Sequence, residues 1–379
     1  MKNNKAKALL AQYKKGKVSP QERAELETWY NQQAVQNPSL KDHHDFAGAL
    51  NELDEAFPFH TLTKPVKTYR WTFVASAAAV ILCLSIGLYF YMDKAGAGKQ
   101  LQFANDIKPG GNKAFLTLAD GSKISLTDAL DGAVAEQAGV SITKTKDGQL
   151  IYTLAQQDGA VDRNAGFNTI ETPRGGQYQI KLPDGTQVWL NASSSLKYPA
   201  VFTGTTRTVE LKGEAYFEVA KDKHRPFKLR SGKQDLMVLG THFNVSAYAD
   251  DSQVKTTLLE GSVQVTGAEG SLSGKDLILK PGQQSQFSAA GLTVKTADTE
   301  EAVAWKNGYF KFNDEDIATI LKKVSRWYDV DIQYKGKMTD KIFNGKVSRY
   351  GNVSEVLQIL QLTGAIQFKI EGRRIIAMP

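Results

Sequence analysis

At 379 residues the chain is longer than one compact domain usually runs, and its 41% hydrophobic and 23% charged residues suit folded material throughout. The net charge of +7 comes from Lys and Arg scattered among acids, which argues against direct binding of nucleic acid. A single cysteine, Cys83, excludes an intramolecular disulfide and a CxxC metal site.

Residues 1–57 read as a small all-α domain of short amphipathic helices. The first, about Lys5 to Lys14, sets Ala6, Leu9, Leu10 and Tyr13 on one face, and Gly16 ends it. Ser19 to Glu22 spells SPQE, a capping box with proline at the first helical position. The helix that follows carries Leu26, Trp29 and Tyr30 on one side. A third is expected after Asn37 and Pro38, with Phe46, Ala49, Leu50 and Leu53 as its stripe. So small a piece cannot hide all this apolar surface. Either these side chains pack against one another, or some of this surface docks on a cytoplasmic partner, with Leu26, Trp29 and Tyr30 as the candidate docking residues. His43 and His44 are adjacent, point to different faces and make no metal pair.

Residues 58–70 read as a linker. Trp71 to Tyr91, WTFVASAAAVILCLSIGLYFY, carries no charge over the ~20 residues that a helix needs to cross a bilayer. Trp71 at one end and Tyr89, Phe90 and Tyr91 at the other suit the membrane interfaces. Lys64, Lys67 and Arg70 precede the segment, so the positive-inside rule places the N-terminus in the cytoplasm and the rest outside. The expectation is a single-pass inner-membrane protein with a periplasmic C-terminus.

From residue 100 to 300 the pattern becomes short alternating strands with turn signals. Leu116 to Leu126, LTLADGSKISL, aligns with Ile180 to Leu190, IKLPDGTQVWL. Each copy is a hairpin turning at Asp-Gly, and each follows a Pro and a Gly pair: Pro109, Gly110, Gly111 and Pro173, Gly175, Gly176. A third hairpin turns at Asp147 and Gly148. Strands follow as RTVELKG, AYFEVA, PFKLRS, QDLMVLG, THFNVSAY, KTTLLEG, SVQVTG, LILKPG and QSQFSA. The expectation is an all-β sandwich or stack of short strands, without the alternating helices of an α/β enzyme. Asp120, Asp147 and Asp184 read as turn formers. His224 and His242 are isolated, and no cofactor or metal is expected.

Residues 305–379 read as a compact α+β module of order β-α-β-β-α-β-β, two helices on one small sheet, with Asn313 capping the first helix and Asn352 to Glu355 opening the second. A small sheet with free edges is a natural dock for another strand.

Several runs resemble the FecR family of transmembrane anti-sigma factors in its Bacteroidetes-type arrangement. The strongest is TPRGGQYQIKLPDGTQVWLNASSSLKYP and its continuation, about Thr172 to Val265. LLAQYKKGKVSPQERAELETWY, from Leu9, is similar to the family's short sigma-binding segment. WKNGYFKFNDEDIATILKKVSRWYDVDIQY, from Trp305, is similar to its C-terminal domain, akin to the short N-terminal domain of secretins and TonB-dependent receptors. Residues 95–168 depart from the simpler family pattern. The resemblance implies that residues 1–57 hold an extracytoplasmic-function sigma factor. It further implies that the signalling domain of a TonB-dependent outer-membrane receptor contacts 305–379, and that regulated proteolysis releases the sigma factor. VLGTHFNV resembles the junction at which some members are thought to cut themselves, which would make Gly240 and Thr241 a self-cleavage site; a tight turn at Gly240 is the other reading.

Two other classes compete. A membrane-tethered periplasmic glycan-binding module would show exposed aromatics on one face, whereas Trp189 and Tyr198 alternate with apolar positions and read as core. A DNA-binding activator needs a basic recognition helix, whereas Glu22, Glu25 and Glu27 would repel phosphate. An enzyme acting on another molecule is the class least supported.

Overall fold

The computed structural model describes residues 3–13, 18–19, 21–23, 25–26, 28–29, 106–137, 140–146, 148–154, 166–232, 234–267, 276–338 and 340–379. The helix expected after Asn37, the linker at 58–70 and the apolar segment 71–91 lie outside the described residues. Among the described residues, no helix is long and apolar enough to cross a membrane.

At the N-terminus, helix α1 spans Asn3–Tyr13 and buries Ala6 and Leu9. The capping box forms as expected: Glu22 accepts from the Ser19 backbone N–H at 2.9 Å, and Ser19 Oγ accepts from the Glu22 N–H at 3.2 Å. Residues 21–23, 25–26 and 28–29 are helical, and Leu26 is fully buried. Lys5 and Glu25 join the two helices at 2.6 Å. Thr28 Oγ1 accepts from the Ser348 N–H at 2.8 Å, which ties this region to the C-terminal module.

The β-rich part is a sandwich of two long, mixed sheets. One runs, neighbour to neighbour, through Lys123–Ser125, Phe115–Thr117, Phe167–Thr172, Ser194–Pro199, Arg207–Glu218, Phe227–Arg230, Gln234–Val238, Val263–Gly267 and Leu277–Leu279. The other runs through Gly132–Gln137, Val140–Lys144, Leu150–Leu154, Gly176–Lys181, Gln187–Leu190, the same Arg207–Glu218, His242–Ala247, Val254–Glu260, Gln283–Ser288 and Gly291–Thr296. Alternation aims every second side chain inward. Leu116, Ile170, Tyr198 and Leu229 of the first sheet meet Ile180, Leu190, Phe217, Phe243 and Leu258 of the second in one core, all fully buried. The two copies of the hairpin repeat lie in opposite sheets, the first at the end of one and the second in the middle of the other.

The sequence separates RTVELKG from AYFEVA at Gly213, but these form one strand. Its first half pairs in one sheet and its second half in the other. Gly213 makes the corner with φ 87°, and a Cβ there would lie 2.4 Å from Ser194 Oγ.

The C-terminal module keeps the expected element order but holds two sheets where one was expected. Tyr309–Asp316 pairs with Ile342–Ser348, while Asp331–Tyr334, Arg374–Met378 and Gln367–Glu371 form a separate three-stranded sheet. After the short helix α2, Thr299–Val303, the module's helices are α3, Ile317–Tyr328, and α4, Val353–Gln361. Asp316 caps α3 in place of Asn313. A bulge lengthens the preceding strand past Asn313, Asp314 takes φ 51°, and Asp316 then accepts from the Thr319 N–H at 2.9 Å. On α4 the face of Val356, Leu357 and Leu360 is buried, whereas Leu362 is exposed. Asp106, where the sandwich region begins, caps α4 through Ser354, so the module is tied back to the start of the β-rich part.

Candidate functional sites

The sequence nominated two separate places, and the structure brings neither to the other. At the N-terminus, Leu26 packs inward and Trp29 keeps part of its ring on the surface, so Trp29 offers area to a partner in this arrangement and Leu26 does not. Tyr30 lies outside the described residues.

The second place is the Gly240–Thr241 junction. Gly240 has φ 154°, and a Cβ there would lie 2.4 Å from Lys221 Cγ and 2.9 Å from Lys221 Cα, so both backbone angle and space favour glycine. Thr241 is buried, and its Oγ1 donates to the Ser262 carbonyl at 3.0 Å. A Cβ on Gly261 would meet Thr241 Oγ1 at 2.9 Å and the Gly240 carbonyl oxygen at 3.0 Å. The hydroxyl and that carbonyl oxygen therefore crowd against one glycine. His242 faces the other way and pairs through Nδ1 with Glu260 at 3.2 Å, so it is not placed to take a proton from Thr241.

The turn aspartates behave as expected where they are described, and one does more. Asp120 accepts from the Ser122 N–H and hydroxyl, which hold its carboxyl below the usual range. Asp184, its counterpart in the repeat, accepts from Thr186 in the same way and also forms a buried ion pair with Arg207 at 2.7 Å. Asp147 lies outside the described residues. Trp189 is not core. It sits half-buried on the outer face of its sheet, 5.5 Å from the Tyr216 ring, with Lys306 Nζ 4.5 Å from its centroid. Val188 and Leu190 on either side face the core, and the strand's alternation turns Trp189 away from it. Tyr198 is core, as expected.

Between the outer face of the second sheet and the C-terminal module lies a polar cleft of about 570 Å³, lined among others by Glu214, Asn244, Lys255, Glu301, Lys311 and Arg349. Burial raises the Glu301 carboxyl above its ordinary range. Among the described residues, no group of three or more His, Cys, Asp or Glu is arranged to hold a metal ion.

Comparison with known proteins bears on what these parts belong to. The family model "FecR protein" matches residues 168–264, in the sandwich, and "FecR, C-terminal" matches 309–377, in the module. Two crystal structures of a candidate anti-sigma factor from Parabacteroides distasonis ATCC 8503, at 2.50 and 1.65 Å, are each 31% identical to this chain. The first covers 56% of this chain and 98% of its own, with a TM-score of 0.52. The chain belongs to the FecR family. The second structure gives the same picture, covering 55% of this chain and 97% of its own with a TM-score of 0.51. No curated protein matches. Both FecR family regions thus fall on folded bodies, and the extra hairpins before residue 168 precede the first of them.

Proposed function

We propose that this chain is an anti-sigma factor of cell-surface signalling. It holds an extracytoplasmic-function sigma factor in the cytoplasm and releases it on a signal from a TonB-dependent outer-membrane receptor. Membership of the FecR family carries the reading, supported by identity to a candidate anti-sigma factor along nearly all of that protein's resolved chain. Residues 1–57 bind the sigma factor, with Trp29 and Tyr30 contributing contacts, while Leu26 is buried within this region. Residues 305–379 meet the receptor's signalling domain, for which the edge strands of two short sheets offer a place to add a strand.

This reading requires residues 71–91 to span the inner membrane. A bilayer there would put Thr28 and Ser348 on opposite sides, so their hydrogen bond belongs only to a chain that does not span. Tags at residue 1 and after Pro379 distinguish the two. Protease added to spheroplasts should remove the C-terminal tag alone. Loss of the N-terminal tag, or protection of both, would overturn the topology.

A self-cleavage at Gly240–Thr241 belongs to the same proposal. Thr241 Oγ attacks the Gly240 carbonyl carbon, its hydroxyl proton passes to the departing nitrogen as the C–N bond breaks, and the resulting ester leaves Thr241 with a free amine. Water then hydrolyses the ester to a Gly240 carboxylate. Resonance resists this step in a planar amide, and the glycine-only backbone at 240 is the feature that favours it.

A further inference from the structure

Arg349 is one of two fully buried arginines among the described residues. It is 1% exposed, and among the described residues no carboxylate pairs with it directly. Its guanidinium stacks on Trp327 of α3, 3.5 Å from the ring centroid. Nη1 donates to the Trp305 carbonyl and Nη2 to Asn191 Oδ1, each at 3.0 Å, while Nε has no partner among the described residues.

The counter-charge arrives through amides. Asn191 Nδ2 donates to one oxygen of Glu214 at 2.8 Å, and Asn244 Nδ2 donates to the other at 3.0 Å. Trp305 Nε1 donates to Asn244 Oδ1 at 3.1 Å, and the Trp305 carbonyl returns the ring to Arg349. Asn191, Glu214 and Asn244 belong to the sandwich. Arg349 and Trp327 belong to the C-terminal module, and Trp305 stands at its first position. The closed circuit therefore exists only while the two bodies are pressed together. Burial pushes the Arg349 guanidinium down to about 10, which marks how little water reaches it.

The rest of the junction is built to the same fit. Gly110 and Gly175, from the Pro and Gly pairs that precede the two hairpin copies, receive the end of α3. The Gly175 N–H donates to the Arg326 carbonyl at 2.8 Å, and a Cβ on Gly110 would lie 2.8 Å from the Trp327 ring. Arg326 stands over Tyr248 and pairs with Asp250 and Asp251, each at 2.7 Å.

We propose that Arg349 is the clasp that locks the C-terminal module to the sandwich, so that the two move as one body while the amide-bridged circuit to Glu214 is closed. A guanidinium left without these acceptors gains by meeting water, so opening the circuit loosens the junction and leaves the module held by contacts such as those of Arg326 and Gly175 at that end of α3. The clasp concerns mechanics within the chain and does not depend on the receptor reading.

The test is a distance measurement on the full chain in detergent, with Cys83→Ser and spin labels at the exposed positions Thr206 and Leu362. The otherwise unaltered chain should give one narrow distance. Arg349→Met and Asn191→Ala should each lose that single peak and give a broad distribution, with β-sheet circular dichroism retained. Arg349→Met could unfold the module, and Asn191→Ala, which leaves α3 and Trp327 untouched, then decides. A distribution as narrow in Asn191→Ala as in the parent chain would overturn the clasp.

Discussion

Arg207 and Asp184 show what one residue contributes and what the sequence concealed. Asp184 is legible as a turn former because Asp-Gly at a hairpin has a local meaning. Its ion pair with Arg207 is not legible, because the partner comes from a strand that only the fold brings near. The guanidinium also donates to the carbonyls of Ala220 and Arg225 and lies over Phe227. Arg207→Ala strands the Asp184 charge in a dry site and should cost about 3–5 kcal/mol in urea unfolding. Arg207→Lys, which keeps charge but not the fork, should cost less. An unchanged midpoint in Arg207→Ala would show the pair to be dispensable. Gly240 and Thr241 are also a matter of single residues. The purified chain should yield two fragments, the second beginning at Thr241, and Thr241→Ala should restore one band. Mass spectrometry that finds the unaltered chain whole would leave Gly240 as a turn and nothing more.

Strands and helices were the most legible scale, since alternation, Asp-Gly turns and capping boxes are all local signals. The failures were local signals that tertiary structure redirected. Gly213 reads as a break and is a corner within one strand, because Ser194 must approach its Cα closely. Asn313 reads as a cap and lies at a bulge. Trp189 reads as core from its neighbours, although period two places it on the opposite face from them. Across the sandwich, Tyr152 and Tyr198 meet edge to face with their hydroxyls 2.5 Å apart. Burial pushes the Tyr152 phenol up to about 12 and raises Tyr198 well above its usual range. Above about pH 10 the unfolded chain loses these protons while the folded chain keeps them, so unfolding gains. Stability to urea should therefore fall as pH rises from 10 towards 12, and less steeply in Tyr152→Phe. Equal slopes would mean that the pair ionises as freely folded as unfolded.

At the scale of the whole molecule, the FecR family regions fall within the sandwich and the C-terminal module, whereas the junction between the bodies was hidden. Arg349 looks like any surface arginine in a sequence, and its acceptors lie 158 and 44 residues away. The proposed route runs from a receptor at the module to a sigma factor at the other end of the chain. Its central claim is the sigma factor itself. The most direct measurement purifies the full chain from membranes and identifies what comes with it. The account predicts an extracytoplasmic-function sigma factor bound to the unaltered chain. It should be weakened by Trp29→Ala, where losing an aromatic anchor costs on the order of 2 kcal/mol. It should be absent after deletion of 1–57 and kept after deletion of 305–379. A chain that brings down no sigma factor, or one that still holds it without residues 1–57, would contradict the account.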